Sequence, residues 1–408
     1  MIPKSEILEV ASETGLFPST VEKDYALSWA LAGIAAHSEL RHWVFKGGTC
    51  LKKCWFETYR FSEDLDFSVP EGRVYTPEDV RRALRDLGDR VYQQVGLEFP
   101  HDGIEIEPMT NRRGRVTMQA RVTFVGPLQL PRNSRQRIKF DLTNDELIAD
   151  ATELRKVDHA YSDAPAPAAE VSCYSLHELL AEKTRALYER EGRARDVYDV
   201  VNVGRNFLQL LDVGRLAGII RRKFAFKELP APTAALIRSR INPDTLAVDW
   251  TNALKHQLPV LPDVTEFLAA LEGILDAFLG GRPATPVLQP VPAKAGESPV
   301  ERVLLTGRRF ASLGRGAAVS TGAIGPVMDR VRFAARNRLL ASVSYHGVTR
   351  LVEPYSLRLP GTRNLLLYVY EVQRGGSRGG GITAYKVAEL GHVEATAAPF
   401  SARYVVEL

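Results

Sequence analysis

Apolar and polar positions along this chain follow two rhythms, one of helices and one of strands. Over residues 18–37 (PSTVEKDYALSWALAGIAAH) apolar side chains recur at helical spacing, with Ser19 or Thr20 available as a cap and Glu22 in the first turn. A short apolar run, Trp43-Val44-Phe45, predicts a strand leading into Lys46-Gly47-Gly48-Thr49. Residues 49–55 read as helical, and residues 64–69 (DLDFSV) alternate as a strand does. Thr76-Pro77-Glu78 is a helix-start signal for a long helix over 76–95. Three strands are expected near 103–108, 115–125 and 136–142. In the second, Val116, Met118, Ala120, Val122 and Phe124 alternate with polar residues, the pattern of a half-buried strand.

The rhythm then becomes helical. Residues 163–169 (DAPAPAA) form a linker, two strong helices follow over 175–190 and 194–211, and weaker helical periodicity continues to about 280. Residues 281–298 (GRPATPVLQPVPAKAGES) lose all periodicity and mark a domain boundary. Beyond them a helix is expected over 323–340 and short strands over 341–407, with turns at His346-Gly347, Pro360-Gly361 and 375–381. The chain therefore divides into residues 1–280, a linker at 281–298, and a small α+β or barrel-like unit at 299–408. No internal repeat is visible.

Length and composition fit this division: 408 residues exceed one ordinary domain, and the apolar content supports sizeable cores. No run of 18 apolar residues predicts a membrane span, and no basic-then-apolar leader opens the chain. The three cysteines, Cys50, Cys54 and Cys173, are odd in number and lack metal-like spacing. They read as buried free thiols of a protein in a reducing cytoplasm. Charge is unevenly placed. Residues 301–408 carry 15 Lys/Arg against 7 Asp/Glu, a net of +8, while residues 1–300 sum to −4. That bias permits nucleic-acid contact, and solvated surface charge explains it equally well.

The informative chemistry lies between residues 45 and 67. Strand alternation puts Asp64 and Asp66 on one face, where two carboxylates repel unless a cation joins them. A hard divalent ion with oxygen ligands suits them, Mg²⁺ or Mn²⁺, together with a nucleotide's phosphates. Gly47-Gly48 allows close backbone approach, and Thr49 is expected to start a helix whose amides face a phosphate. On the strand Arg137-Ile138-Lys139-Phe140-Asp141-Leu142, Asp141 can add a third carboxylate, or it can serve a salt bridge with Lys139 or Arg137. Later, Glu178, Glu182 and Arg185 share a helical face, with Lys183 offset from it. Asp196 and Asp199 lie at i and i+3, where ordinary helix pairing is the competing explanation.

In order through residues 1–210, Val21-Glu-Lys-Asp-Tyr25, Phe45-Lys-Gly-Gly-Thr-Cys-Leu51, Arg60-Phe-Ser-Glu-Asp-Leu-Asp66, Glu178-Leu-Leu-Ala-Glu-Lys183 and Arg195-Asp-Val-Tyr-Asp199 resemble the AbiEii/AbiGii nucleotidyltransferase toxins, MenT-like toxins included. The resemblance implies an α+β fold of the DNA polymerase β-like type, a mixed sheet followed by a helical half. It implies transfer of a nucleotide from an NTP to an acceptor, RNA and in particular the 3′ end of tRNA, by a soluble toxin with an antitoxin encoded nearby, in toxin–antitoxin or phage-defence systems. It assigns metal binding to Asp64, Asp66 and Asp141, and the nucleotide to Lys46, Gly47, Gly48, Thr49, Ser62 and Lys183. Asp196 and Asp199 belong to its last motif, with the one that faces the site left open. The stretch from Thr49 to Asp64 is longer than in the family, so a reshaped loop is expected at 55–61.

The C-terminal unit is similar to a WYL domain through Tyr345-His-Gly-Val-Thr-Arg350, Val352-Glu-Pro-Tyr-Ser-Leu357 and Ala397-Ala-Pro-Phe400. This implies an SH3/Sm-like barrel with a ligand near Tyr345, Arg350, Tyr355 and Lys386. The alternative to an enzyme is therefore a nucleotide-sensing regulator whose WYL-like unit binds nucleic acid or a nucleotide ligand. Nucleotidylation of a protein shares the enzyme's chemistry with a different acceptor.

Overall fold

Alternation along short strands produces a sheet with one apolar and one polar face, and that sheet organises the first half of the molecule. The structure, a computed structural model, describes the whole chain apart from residues 57–59, 71, 74, 111–113, 115, 281–287, 290, 293–300, 307–308, 313–324 and 360–363. The expected turn at Pro360-Gly361, most of the linker at 281–298 and the centre of the loop at 55–61 lie outside the described residues.

Helices α1 (Lys4–Thr14) and α2 (Pro18–Ala36) precede β1 (Val44–Lys46). The short α3 (Gly47–Cys50) follows without a break, and its helical path continues in a widened turn over Leu51–Trp55, where Phe56 N donates to Leu51 O at 2.7 Å. Then come β2 (Asp64–Ser68), α4 (Pro77–Val95), β3 (Ile104–Thr110), β4 (Val116–Thr123), β5 (Arg137–Thr143), β6 (Glu153–Lys156) and β7 (Glu170–Cys173). The sheet order is β3-β4-β5-β2-β1-β7-β6, with β2–β5 and β1–β7 parallel and the other pairs antiparallel. It is the expected mixed sheet. Phe45, Leu65, Phe67, Ala120, Ile138 and Phe140 are each no more than 1 % exposed and form the apolar face. Against this sheet pack α2 and α4.

One local expectation changes. Helix α2 starts on Pro18 with Phe17 as its cap residue, so neither Ser19 nor Thr20 caps it; proline's fixed φ and missing N–H suit the first helical position. Helix α4 starts as anticipated, on a reciprocal capping box between Thr76 and Asp79. Strands β6 and β7 were not legible in the alternation, since four residues give too short a pattern.

The helical half follows: α5 (Leu176–Glu189), α6 (Ala194–Phe207), α7 (Val213–Phe226), α8 (Ala234–Ser239), α9 (Pro243–Leu254) and α10 (Val264–Phe278). Strands β8 (Glu301–Thr306) and β9 (Arg309–Ser312), helix α11 (Gly325–Arg336) and strands β10 (Leu339–Tyr345), β11 (Val348–Leu359), β12 (Leu366–Arg374), β13 (Ser377–Lys386) and β14 (Leu390–Pro399) complete the chain. These strands make an antiparallel sheet ordered β13-β12-β11-β10-β14, with β8 joined to β11. Helix α11 and the turn after it fasten this sheet to the rest. Arg330 Nε donates to Glu13 O at 2.8 Å, Tyr198 Oη to Asn337 Oδ1 at 2.9 Å, and Asn206 Nδ2 to Arg336 O at 3.0 Å.

Leu65 sits on a strand bonded on both sides and is fully buried. Leu65→Ala is expected to cost about 2–5 kcal/mol in equilibrium urea unfolding, as a core cavity does.

Candidate active site

The polar face of the first sheet is set by register. Asp66 is the partner of Lys46 on β1 and of Asp141 on β5, Asp64 is the partner of Lys139, and Gln119 on β4 is the partner of Asp141. Register partners share a face, so Asp64, Asp66 and Asp141 project together, as alternation required. Helix α5 brings Glu182 and Lys183 to the same place and α6 brings Asp196. Lys46, Gly47, Asp66, Asp141, Lys183 and Asp196 all line one cleft of about 300 Å³.

Charge inside the cleft is only partly balanced. Burial pushes the Asp66 carboxyl up to about 6, and the neighbouring Asp141 and Asp64 charges add to this against the pull of Lys46 and Lys183. Asp141 is held by Lys139 Nζ at 2.6 Å and by Gln119 Nε2 at 3.0 Å. The salt bridge to Lys139 therefore exists, and it stands beside Asp66 rather than apart from it. Lys46 pairs with Glu182 at 3.1 Å; burial opposes its charge, but the Glu182 carboxylate holds the ammonium above its ordinary value. Glu146 and Arg190 also border the cleft.

The glycine turn has a steric cause. Gly47 has φ +82°, and a Cβ there would overlap Asp66 Oδ2, so only glycine lets the turn and the carboxylate coexist. A Cβ on Gly48 would overlap the Arg60 guanidinium. Helix α3 begins at Gly47, so Thr49 does not start it as expected; Thr49 is fully buried and its hydroxyl donates to the carbonyl of Asp64, pinning the turn to β2. Ser62 is 8 % exposed and lies against Gly48.

The structure divides the last motif. Asp196 lines the cleft and accepts from Lys183 Nζ at 2.7 Å. Asp199 is fully buried behind Lys183, which it meets at 3.0 Å, and is gripped by Arg60 through Nε and Nη2, both at 2.7 Å. Burial alone would raise its pKa, yet Arg60 and Lys183 lower it to about 2. Such a carboxylate is saturated with donors, so of the two left open by the sequence it is Asp196, and not Asp199, that lines the cleft. Asp199 positions Lys183, whose own ammonium is kept charged by Asp196 and Asp199 against the effect of burial. Arg195 reaches Asp64 at 4.0 Å from the rim.

Sequence reasoning gave no role to Arg60, Gln119, Glu146 or Arg190. Gln119 was accessible through the β4 alternation, which puts it opposite Met118. Arg60 stands inside a quoted motif, but its partner is 139 positions away. Glu146 lies just past β5 with no local signal.

In the second sheet Tyr345, Arg350 and Lys386 do come together. Tyr345 stacks on Tyr385 with centroids 4.6 Å apart, Arg350 lies over both rings and pairs with Glu371 at 2.8 Å, and Lys386 pairs with Glu389 at 2.8 Å. Tyr355 does not join them. It is fully buried in a separate small core with Tyr368 and Phe400, and bonds to Glu353.

Carboxylates, lysines and a glycine turn gathered on the polar face of a mixed sheet suit a nucleotidyltransferase, and comparison with known families establishes that class. Residues 29–276 match the family model described as the nucleotidyl transferase AbiEii toxin of type IV toxin–antitoxin systems, and the chain belongs to that family. Among solved structures it is similar to MenT4, a nucleotidyltransferase toxin from Mycobacterium tuberculosis H37Rv, at 17 % identity and a TM-score of 0.47, over 69 % of this chain and 91 % of that one. No curated protein matches. No helix among the described residues is long and apolar enough to cross a membrane.

An acid whose folded pKa is raised makes stability fall as pH climbs from its unfolded value, near 4, through its folded value, here about 6. In EDTA, Asp66→Asn should therefore melt above the wild type at neutral pH by roughly 2–4 °C, the shift that about 1 kcal/mol produces in a domain of this size. The gap should close toward about pH 4; a gap unchanged with pH would show that the carboxyl is not strained.

Proposed function

We propose that this chain transfers nucleotides from an NTP to an RNA acceptor, the 3′ end of tRNA, with Mg²⁺ or Mn²⁺ held by Asp64, Asp66 and Asp141. Residues 1–280 would carry that reaction in a DNA polymerase β-like unit, residues 281–298 would link it, and residues 299–408 would form a WYL-like barrel. The observation that carries the reading is the register pair Asp66–Asp141, whose like charges converge in the cleft opposite Lys183.

A divalent ion fits there by donor chemistry: hard oxygens that repel one another, with Asp66 raised by burial and by its acidic neighbours, are relieved by a cation. When bound, such an ion neutralises phosphate charge and makes a hydroxyl more acidic. The chain's own residues do the rest. The Gly47 turn lets backbone approach Asp66, Lys46 stands beside it for a phosphate while Glu182 holds its ammonium in place, and Lys183, fixed by Asp196 and Asp199, offers a second point charge. Ser62, walled behind Gly48, would support this turn, and self-modification there would need the turn to open.

The cytoplasm and an antitoxin encoded nearby follow from the toxin reading. A regulator without catalysis is less favoured, because the charges of Arg350 and Lys386 are already met by Glu371 and Glu389.

Incubation with each labelled NTP, Mg²⁺ and total tRNA should label the RNA. Asp64→Ala and Asp66→Ala should reduce labelling to background, and Lys183→Ala should reduce it by about 100-fold or more, as loss of a positioned charge does. Absence of label in RNA with all four NTPs would refute the RNA acceptor, and label in protein instead would move the proposal to protein nucleotidylation.

A further inference from the structure

Cys173 is distant in sequence from Cys50 and Cys54 but adjacent to them in space. Cys50 ends α3, Cys54 lies one widened turn later, and Cys173 ends β7, where it is the parallel register partner of Phe45. Their sulfur atoms all lie within 4.8 Å of one another. Cys50 and Cys173 are fully buried and Cys54 is 7 % exposed, so the cluster is closed to bulk water.

We propose that these three thiols form a site for a single thiophilic metal ion. The centre of a triangle with 4.8 Å sides is about 2.8 Å from each corner, so a contraction of about 0.5 Å per sulfur reaches the metal–thiolate length of about 2.3 Å. Small side-chain rotations supply that. The donor set is entirely soft, which selects zinc-like ions or copper(I) over magnesium. No histidine or carboxylate among the described residues joins the three, so the site is three-coordinate in protein ligands.

Charge supports the assignment. Three thiolates around a divalent ion leave one net negative charge. Arg155 is the cation at hand: its Nε donates to Cys54 O at 2.8 Å, and its guanidinium lies over Trp55 at 3.8 Å.

The location gives the ion a consequence. Cys50 follows Thr49 directly, and β7 is bonded to β1, so an ion joining Cys50 and Cys173 would tie the Gly47–Thr49 turn to the neighbouring strand. The spacing of the cysteines in sequence hid this, because the sheet, and not a local motif, assembles the three.

The test uses the full chain, reduced and freed of metal, titrated anaerobically with Cd(II) in one arm and Cu(I) in the other. Thiolate-to-metal charge-transfer absorption should saturate at one ion per chain in at least one arm, with the three thiols protected from alkylation. The arm that saturates at lower concentration identifies the ion's charge. Cys173→Ala should weaken binding by about tenfold or more, as losing a ligand does. Cys54→Ala, at the least enclosed position, serves if Cys173→Ala loses its native far-UV dichroism. Absence of charge-transfer absorption in both arms, or absorption that survives either folded alanine variant unchanged, overturns the site.

Discussion

Like charge converging on one sheet face is the constraint from which the rest of the first unit follows. Parallel strands lie roughly 4.8 Å apart, so register partners such as Asp66 and Asp141 cannot avoid each other once both point to the same side. The surroundings answer that repulsion from several directions. Lys139 sits beside Asp141 on its own strand, Lys46 faces Asp66 across β1, and Lys183 arrives from helix α5. Even the glycine turn is a consequence, since the space a Cβ would need at Gly47 is taken by the Asp66 carboxylate. The turn and the carboxylate are one device.

Cations brought to such a place must themselves be held, and a buried relay does so. Arg60 grips Asp199, Asp199 and Asp196 grip Lys183, and Gln257 accepts from Arg60 Nη1 at 2.9 Å. Four elements far apart in the chain meet in this network: the segment before β2, helices α5 and α6, and the turn after α9. Each ion is paired and hydrogen-bonded, which is the condition for burying charge at a tolerable cost. A second network, Lys223 with Glu178 at 2.7 Å and Glu182 with Lys46, performs the same service on the other side of α5.

Much of this was readable from the sequence wherever the signal was local. Alternation located β2, β4 and β5 and put Asp64, Asp66 and Asp141 on their polar face, and Thr76-Pro77 located the start of α4. What the sequence hid was partnership at a distance. Asp196 and Asp199 look alike on one helix face, and only the position of Arg60 separates them, one lining the cleft and the other buried as an anchor. Tyr355 likewise lies on the same strand as Arg350, yet the register of β11 sends it to a different core. Thr49 was expected to start a helix, whereas the helix begins on Gly47, at a place where Asp66 and Arg60 leave no room for a Cβ on either glycine.

The basic excess of the C-terminal residues shows how far net charge can mislead. Several of these arginines act within the molecule. Arg330 bonds to Glu13 O on the first unit, Arg338 donates to Asn206 Oδ1, Arg350 pairs with Glu371, and Arg403 pairs with Glu353. Arg338 does this at φ +55°, donating also to Ala335 O at 2.6 Å, and burial lowers its pKa to about 9. Such a side chain is held by geometry more than by charge. Positive charge already engaged in this way is less free to recruit phosphate, because these guanidiniums direct donors at carbonyls or carboxylates, two of them across to the first unit. A basic tally therefore marks this region as an attachment first, and a nucleic-acid surface on it would have to be built from other arginines, such as the exposed Arg374 and Arg378 at the β12–β13 turn.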